Sequence, residues 1–199
     1  ISDKSYKSYL RFRFFYKKIF QNIDKVFAQS EVDKQRLQEL GAKNVEVIGN
    51  IKLAQLPKRR ALFEKPNITT IVAASTHEGE EELILNSYKK EFGKLIIVPR
   101  HPERFLKVEE LIKNYVKNKN ISFHKFSIKE DFSSDIVLVD VMGILNDVYE
   151  IGDITILGGA FAKIGGHNPI EPAFFGNVII SWKNIFSQKS LFECIKNYY

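Results

Sequence analysis

The sequence predicts an α/β fold built on a parallel β-sheet with helices on both of its faces. Short and almost continuously apolar runs, such as ITTIVAA and LIIVP, are typical of strands that are buried on both sides. From residue 68 onward these runs alternate with longer stretches whose apolar residues recur at helical spacing. Such a doubly wound sheet binds ligands beyond the carboxyl ends of its strands, so the residues that follow each strand are the first candidates for a site.

The strands and helices predicted after residue 68 succeed one another in a regular order. Strands are expected at 69–74, 95–98, 121–126, 136–139, 154–157 and 178–181. Helices are expected at about 79–92, 103–118, 144–151, 169–175 and 187–197. No helix is expected between the third and fourth strands. This alternation predicts one Rossmann-like unit.

The first 48 residues predict a separate and smaller set of elements. A helix is expected over residues 4–22, with a buried stripe at Phe12, Phe15, Tyr16 and Ile19. Short strands are expected at 24–29 and 45–48. Between them, Ser30 is expected to cap a helix over 31–40. The stretch 51–66 has two prolines, a Lys-Arg-Arg run and no periodicity, so a linker is expected there.

The composition is that of an ordinary globular domain with a localised basic segment. Of the 199 residues, 44% are hydrophobic and 27% are charged, and the single cysteine excludes a disulfide framework. No apolar run reaches the 18 residues that suggest a membrane span. The net charge is +6, and residues 1–25 carry seven basic and two acidic side chains, or +5 of it. Aromatic residues are interleaved with these charges.

A glycine-rich stretch after the strand at 154–157 predicts a binding loop. Gly158-Gly159 ends the strand, and residues 165–171 read GGHNPIE. Asn168 suits an N-cap and Pro169 the first helical position, so a helix is expected to begin there. Such a loop presents backbone N–H groups to a phosphate, while Glu171 can reach a sugar hydroxyl. The alternative is a capping box, in which Glu171 folds back onto the Asn168 N–H.

Other polar residues follow the first two strands of this unit. Ser75 and Thr76 can donate hydroxyl groups to a phosphate or a sugar acid, although Ser75 and Glu78 also fit a capping box. Arg100 lies in the run Pro-Arg-His-Pro, where the prolines fix an extended loop and thereby the direction of the guanidinium. The alternative for Arg100 is a surface ion pair. Arg104 is expected on a solvated helix face.

Met142-Gly143-Ile144 follows the strand at 136–139. Gly143 permits a close approach of the backbone, whose N–H and C=O groups could recognise a base edge. Met142 could pack on a ring or fill a gap in the core. The four histidines and one cysteine show no paired ligand spacing, and no Asp-x-Asp pair is present. No metal site is therefore expected.

Four motifs resemble those of the 3-deoxy-D-manno-octulosonic acid (Kdo) transferases of lipopolysaccharide synthesis. They are ASTHEGEEE (74–82), VPRHPERF (98–105), VMGIL (141–145) and GGHNPIEPAFFG (165–176), and they occur in the family's order over most of the chain. FAQS at 27–30 and GNIKL at 49–53 look like the family's inter-domain region. The resemblance implies a GT-B architecture, in which two Rossmann-like domains face each other across a cleft.

The resemblance also implies a reaction and its binding residues. The donor would be CMP-Kdo and the acceptor a lipid A precursor, with inversion at the anomeric centre and no metal, cofactor or covalent intermediate. The residues expected to contact CMP are Pro99, Arg100, Met142, Gly143, Ile144, Asn168, Pro169, Ile170 and Glu171. Further possible contacts are Ser75, Thr76, His101, Gly165, Gly166 and His167.

Domain limits and a cellular location follow from the same resemblance. Residues 1–48 are expected to be the tail of the acceptor-binding domain, 49–67 the linker, and 68–199 a nucleotide-sugar-binding domain truncated at its C-terminus. The family's catalytic glutamate would lie upstream of Ile1, so the fragment is expected to be inactive. The basic-aromatic segment 4–25 is expected to contact the anionic cytoplasmic face of the bacterial inner membrane, although an ordinary solvated helix is an alternative.

Two other functions are compatible with parts of the sequence. Another GT-B nucleotide-sugar enzyme, such as a UDP-sugar transferase or an epimerase, would share Glu171 and the glycine-rich loop but not ASTHEGEEE together with PRHPER. A nucleic-acid-binding module is suggested by the basic-aromatic segment. The segment lies at one end of the chain, however, and no nucleic-acid-binding motif occurs, so no nucleic-acid partner is expected.

Overall fold

The structure is a computed structural model that describes residues 1, 3–51, 57–58 and 60–195. The chain divides into two compact units, residues 1–55 and 56–199. Parts of the predicted linker, residues 52–56 and 59, lie outside the described residues, as does the end of the last predicted helix. The assignment of the two units to particular domains stays a prediction.

In its described residues, the smaller unit contains three α-helices and a two-stranded parallel sheet. The helices are α1 (Asp3–Arg11), α2 (Arg13–Gln21) and α3 (Glu31–Glu39), and the strands are β1 (Val26–Ala28) and β2 (Val45–Val47). The side chain of Ser30 accepts a hydrogen bond from the Asp33 N–H at 3.1 Å, which confirms the predicted cap of α3. Ala28, Leu37 and Ala42 form the small buried core of this unit.

Two predictions for the first 22 residues are wrong. The single predicted helix is broken at Phe12, whose backbone (φ −110°, ψ 32°) is not helical. The predicted stripe is also not buried, because α2 has no buried residue, and Phe12, Phe15 and Ile19 are 42–53% exposed. The core of this unit is too small to cover α2, and of that helix Phe20 packs against it. The surface of α2 therefore combines aromatic and basic side chains.

The larger unit is built on a six-stranded sheet. Its strands are β3 (Thr70–Thr76), β4 (Lys94–Pro99), β5 (Phe123–Lys125), β6 (Ile136–Leu138), β7 (Ile154–Leu157) and β8 (Val178–Ile180). They lie in the order β5-β6-β4-β3-β7-β8, and every pairing is parallel. The six predicted strands are all present, with limits that differ by no more than two residues, and the predicted α/β fold class is confirmed.

Helices cover both faces of this sheet. They are α4 (Glu80–Ser87), α5 (Phe105–Val116), α6 (Leu145–Ile151), α7 (Ile170–Phe174) and α8 (Lys189–Phe192). The first predicted helix, 79–92, ends early because Tyr88 and Lys89 are extended, and a 3-10 turn follows at Lys90–Phe92. Within the described part of the chain, no helix is both long and apolar enough to cross a membrane.

The core consists of two layers, one on each face of the sheet. On β3, Val72 and Ala74 face the layer that contains Tyr149 and Phe192. The intervening Ala73 faces the layer that contains residues of α4 and α5. Because each fully buried aliphatic side chain contributes about 1.5–3 kcal/mol, these two layers fix the strands and thereby the loops that follow them.

The strand order places the topological switch point between β3 and β7. From β3 the chain continues through β4 toward one edge of the sheet, and it then returns to β7 on the other side of β3. Ligands of doubly wound sheets bind where the strand order reverses in this way. The β3–α4 loop and the glycine-rich loop after β7 therefore lie at the expected position of a site.

Candidate functional site

A buried carboxylate, that of Glu80, joins the two loops at the switch point. Glu80 lies in the first turn of α4 and is 2% exposed. Its Oε2 accepts hydrogen bonds from the N–H groups of His77 and Gly159, both at 2.9 Å. Its Oε1 accepts from the N–H groups of Phe161 and Ala162, both at 3.0 Å. Three of these four donors belong to the glycine-rich loop, so a side chain of the protein occupies the place that an anion takes in other glycine-rich loops.

The remaining turn of this loop is closed by one backbone carbonyl. The Gly159 oxygen accepts from the N–H groups of Ile164, Gly165 and Gly166 at 2.9–3.1 Å. Six N–H groups of the loop are thus bound within the protein. The loop was predicted to present free N–H groups to a phosphate, and at these six residues it does not. The N–H groups of Gly165 and Gly166 therefore hold the loop closed. Contacts of these two residues with a ligand stay a prediction.

His77 and His167 form a pair across the two loops. Their Nε2 atoms are 2.7 Å apart, and the two rings are parallel to within 6°. Burial, and to a smaller extent the charges of His77 and Arg100, lower the pKa of His167 to about 4, although the Glu80 charge acts to raise it. Burial also lowers the pKa of His77. Both imidazoles are therefore neutral at physiological pH, with one Nε2 donating to the other. The ring of His101 lies edge-on to His77, with centroids 5.4 Å apart.

Arg100 lies beside this pair, immediately after β4. Pro99 is buried at the end of the strand, whereas the side chains of Arg100 and His101 are exposed. The Arg100 N–H donates to the Thr76 carbonyl at 3.0 Å, which fixes the start of the loop. The Arg100 charge lowers the pKa values of His77, His167 and Tyr149. The guanidinium is therefore a cation at the ligand edge that is available to bind an anion.

The residues at the end of β3 are bound to the protein in ways that the sequence did not indicate. Ser75 has φ +52° and lies at a bulge in β3, and α4 begins at Glu80, so the Ser75–Glu78 capping box does not form. The Thr76 hydroxyl donates to buried Glu81 at 2.9 Å. Its only donor is thus engaged, and a ligand could use its oxygen only as an acceptor.

Arg104 is not the solvated residue that was expected. Its Nη2 donates to Glu81 Oε2 at 2.8 Å, and the two side chains are 14% and 0% exposed. Burial raises the pKa of Glu81, while its hydrogen bonds and the Arg104 charge lower it. The Arg104 Nε is buried without a partner among the described residues. This ion pair fastens α4 to the 3-10 turn at Pro102–Arg104, next to the candidate site.

The start of α7 differs in detail from both predicted forms. The hydrogen-bonded helix begins at Ile170, one residue later than predicted. The N-cap residue is Pro169 and not Asn168 as predicted, and Asn168 Oδ1 accepts from the Ile170 N–H at 3.1 Å, two residues later, as in an Asx turn. Asn168 Nδ2 also donates to Glu171 Oε1 at 3.1 Å, so Glu171 is held by a side chain and not by the backbone N–H of a capping box. Pro169 is buried, and the other three residues are half-buried.

Met142-Gly143-Ile144 forms an open loop after β6. Met142 is 61% exposed, so it does not fill a gap in the core. Gly143 has φ +92°, which favours glycine, and Ile144 is the N-cap residue of α6. The Arg60 guanidinium lies above Gly143, with Nη1 3.1 Å from the point that a Cβ atom would occupy. The backbone of Gly143 is therefore exposed beside a second cation.

The geometry offers complementary groups along one edge of the sheet. Residues that follow β3, β4, β6 and β7 share this edge because the strands are parallel. Arg100 supplies a cation, the histidine pair supplies neutral imidazoles, and Glu171 supplies a carboxylate. Among the described residues, no group of three or more His, Cys, Asp and Glu side chains is arranged to hold a metal ion. An anion, a sugar hydroxyl and a planar ring would each find a partner here.

Comparisons with known proteins bear on both units. A family described as "3-Deoxy-D-manno-octulosonic-acid transferase (kdotransferase)" matches residues 1–55. A 3-deoxy-D-manno-octulosonic acid transferase of Rickettsia felis is 38% identical over 194 residues, which cover 90% of this chain and 41% of that protein. The 3-deoxy-D-manno-octulosonic acid transferase of Haemophilus influenzae is 32% identical, and the match covers 98% of this chain and 49% of that protein. A bifunctional glycosyltransferase/methyltransferase of Fusobacterium nucleatum is 39% identical, and the match covers 92% of this chain and 30% of that protein.

A solved structure matches as well. It is the crystal structure of the C-terminal CMP-Kdo binding domain of WaaA from Acinetobacter baumannii, with a TM-score of 0.54 and 30% sequence identity. The match covers 64% of this chain and 68% of that one. The chain spans less than half the length of the curated relatives named above.

The Glu81–Arg104 pair predicts a pH-dependent loss of stability in the Arg104→Met variant. Without the guanidinium, the pKa of Glu81 rises further above its unfolded value of about 4.3. A carboxyl with a raised folded pKa retains stability at low pH and loses it as the pH rises through the unfolded value. We expect a loss of about 3 kcal/mol in the free energy of unfolding at neutral pH and a smaller loss near pH 4, measured by urea denaturation.

Lys107→Met is the matched control, because Lys107 in the first turn of α5 pairs with Glu78 in the loop before α4, and both side chains are exposed. Its loss of stability should be small at both pH values. An equal loss at neutral and low pH in Arg104→Met would show that the guanidinium does not compensate the buried Glu81 charge.

Proposed function

The chain belongs to the 3-deoxy-D-manno-octulosonic acid (Kdo) transferase family, and on this premise we propose that its larger unit binds the CMP part of CMP-Kdo. The observation that carries the proposal is the set of complementary groups along one sheet edge, at the switch point of a parallel sheet. The solved WaaA domain described as CMP-Kdo binding supports it.

Each part of CMP has a proposed partner at this edge. The single phosphate needs one cationic group, and Arg100 is exposed and unpaired by any carboxylate among the described residues. The ribose hydroxyls need an acceptor, and Glu171 has a carboxylate oriented by Asn168. The cytosine edge needs backbone groups, and Met142-Gly143-Ile144 exposes them. Pro99, Pro169 and Ile170 are proposed to contact the nucleotide between these groups.

The whole enzyme is proposed to transfer Kdo from CMP-Kdo to a lipid A precursor. A hydroxyl of the acceptor loses its proton to a base as its oxygen attacks the anomeric carbon, the bond from that carbon to the phosphate oxygen breaks, and CMP leaves with inversion. We propose no metal, cofactor or covalent intermediate, because the phosphate charge can be met by Arg100. We assign the catalytic base to no residue of this chain. Glu80 and Glu81 are buried and bound to backbone N–H groups and Arg104, so they are unsuited to that role.

A further part of the proposal is peripheral attachment to the cytoplasmic face of the bacterial inner membrane. The surface of α1 and α2 exposes Arg11, Arg13, Lys17 and Lys18 together with Phe12, Phe14 and Phe15. Basic side chains are attracted to anionic lipids, and aromatic side chains can enter the interface. This arrangement would keep the enzyme near a lipid acceptor.

The phosphate assignment predicts a loss of CMP affinity in Arg100→Ala. A charge-assisted hydrogen bond contributes about 1.5–3 kcal/mol, and we expect CMP binding measured by calorimetry to weaken by that amount. Arg13→Ala, which removes an exposed arginine from α2, should bind CMP like the wild type. If Arg100→Ala also binds CMP like the wild type, the phosphate lies elsewhere.

The ribose assignment predicts a specific effect of Glu171→Gln. Glutamine keeps one acceptor oxygen for Asn168, so the melting temperature should stay unchanged. The ribose hydroxyl loses a charged acceptor, so the affinity for CMP should fall while that for inorganic phosphate does not. A lower melting temperature with unchanged CMP affinity would mean that Glu171 only stabilises α7.

The membrane proposal predicts binding to anionic but not to neutral vesicles. Replacing Arg11, Arg13, Lys17 and Lys18 by glutamine should abolish co-sedimentation with phosphatidylglycerol-containing vesicles, because each basic residue contributes about 1 kcal/mol. The matched control replaces Lys107, Lys113, Lys117 and Lys119 on α5 and the turn after it. Equal losses in the two variants would indicate a non-specific effect of net charge.

A further inference from the structure

Glu80 has no assigned role in the proposed CMP site, yet both loops of that site depend on it. Its two oxygens accept four backbone N–H groups at 2.9–3.0 Å, one from the β3–α4 loop and three from the glycine-rich loop. A carboxylate with two N–H donors on each oxygen is held in one orientation. If the carboxylate is removed, each of these four N–H groups loses its acceptor.

These hydrogen bonds continue into the histidine pair as a closed series of contacts. Gly159 donates to Glu80, and a Cβ atom on Gly159 would lie 3.0 Å from His167 Cδ2, so the imidazole packs directly on the glycine. His167 contacts His77 through the Nε2 atoms, and the His77 N–H returns to Glu80. The separation of the two rings is therefore set by the carboxylate between their loops.

The pairing fixes the tautomers of both histidines. A hydrogen bond between two neutral Nε2 atoms needs one donor and one acceptor. The imidazole that accepts at Nε2 must carry its proton on Nδ1, which leaves an N–H group to donate to an anion. Neither ring has a second hydrogen-bond partner among the residues that the structure describes. The pair thus offers a neutral donor beside the Arg100 cation.

We propose that Glu80 is a positioning residue, which holds His77 and His167 in their paired arrangement so that the pair donates to the donor phosphate beside Arg100. The ligand in this inference rests on the proposed function, whereas the positioning itself can be tested without ligand. Glu80 is not a catalytic residue, because its oxygens are buried and already bound to the backbone.

The pKa of His167 distinguishes a positioning role of Glu80 from a purely electrostatic one. The charged and titratable groups around the pair are Glu80, Arg100, His101 and Arg104. Burial is the largest cause of the lowered pKa of each histidine, and the Glu80 charge raises both pKa values. If Glu80 acted only as a charge, removing it would lower the pKa of His167. If it holds the pair together, removing it exposes the rings and the pKa of His167 rises.

The experiment follows the imidazole nitrogens by NMR during a pH titration of the 199-residue chain. In Glu80→Gln, an NH2 group faces two N–H donors in either amide orientation, so at least two of the four hydrogen bonds are lost. We expect wild-type His167 to stay neutral between about pH 5 and pH 8, and His167 of the variant to titrate near its ordinary value of about 6.5. A lowered or unchanged pKa would overturn the inference.

A second substitution separates the effect of the Glu80 side-chain length from the effect of its charge. Glu80→Asp keeps the charge but is shorter by one methylene, so it cannot maintain all four hydrogen bonds. Positioning predicts a raised pKa of His167 in this variant too, whereas a charge effect predicts no change. Glu82→Gln, an exposed residue of the same helical turn, is the surface control. Glu81→Gln is the control for a buried carboxylate that does not contact the glycine-rich loop.

The ligand part is tested by titrating CMP into the same variants. We expect Glu80→Gln and Glu80→Asp to bind CMP at least about tenfold more weakly, as for a lost charge-assisted hydrogen bond, with Glu82→Gln unchanged. Separated histidines with unchanged CMP affinity would overturn the role of the pair in phosphate binding. If the wild-type chain does not bind CMP, the proposed function fails, while the histidine titration still decides whether Glu80 positions the pair.

Discussion

The buried Glu80 carboxylate is the interaction on which the candidate site depends. The loop after β7 cannot satisfy its N–H groups by helix or sheet pairing, and an unpaired buried N–H group costs about 1–3 kcal/mol. Glu80 accepts three of these groups, and the Gly159 carbonyl accepts three more. The loop is thereby closed without a ligand. We therefore propose that an anion is bound by side chains, namely Arg100 and the histidine pair, and not by the backbone N–H groups of this loop.

The parallel sheet makes this arrangement possible by bringing β3 and β7 close together. A Cβ atom on Gly158 would lie 2.3 Å from the Ser75 carbonyl oxygen, so only glycine fits at the end of β7. Ser75 adopts φ +52° at the same level, which turns the chain toward Glu80. Two strand ends that are held so tightly carry loops with little freedom, and such loops can keep the groups that face a ligand in fixed positions.

The sequence predicted the strands of the large unit well because burial on both faces leaves a clear apolar run. The sequence was a poorer guide to whether an apolar helix face is buried, because burial depends on the core that packs against that face. The spacing of Phe12 and Phe15 fits a buried stripe, yet the small core beside them leaves both exposed. The burial of Glu80 and Glu81 was not predicted, although Ile84 and Leu85, four residues later, are buried on the same helix faces. That spacing was the available signal that both carboxylates point inward.

We propose that CMP binds across the ends of β3, β4, β6 and β7. The most direct test is a titration of the isotopically labelled chain with CMP and with UMP, followed by backbone NMR. UMP differs at the base, where a carbonyl acceptor replaces the amino donor. We expect chemical-shift changes that are confined to the residues after these four strands, and tighter binding of CMP than of UMP. Changes centred on α1 and α2, or equal affinity for UMP and CMP, would contradict it.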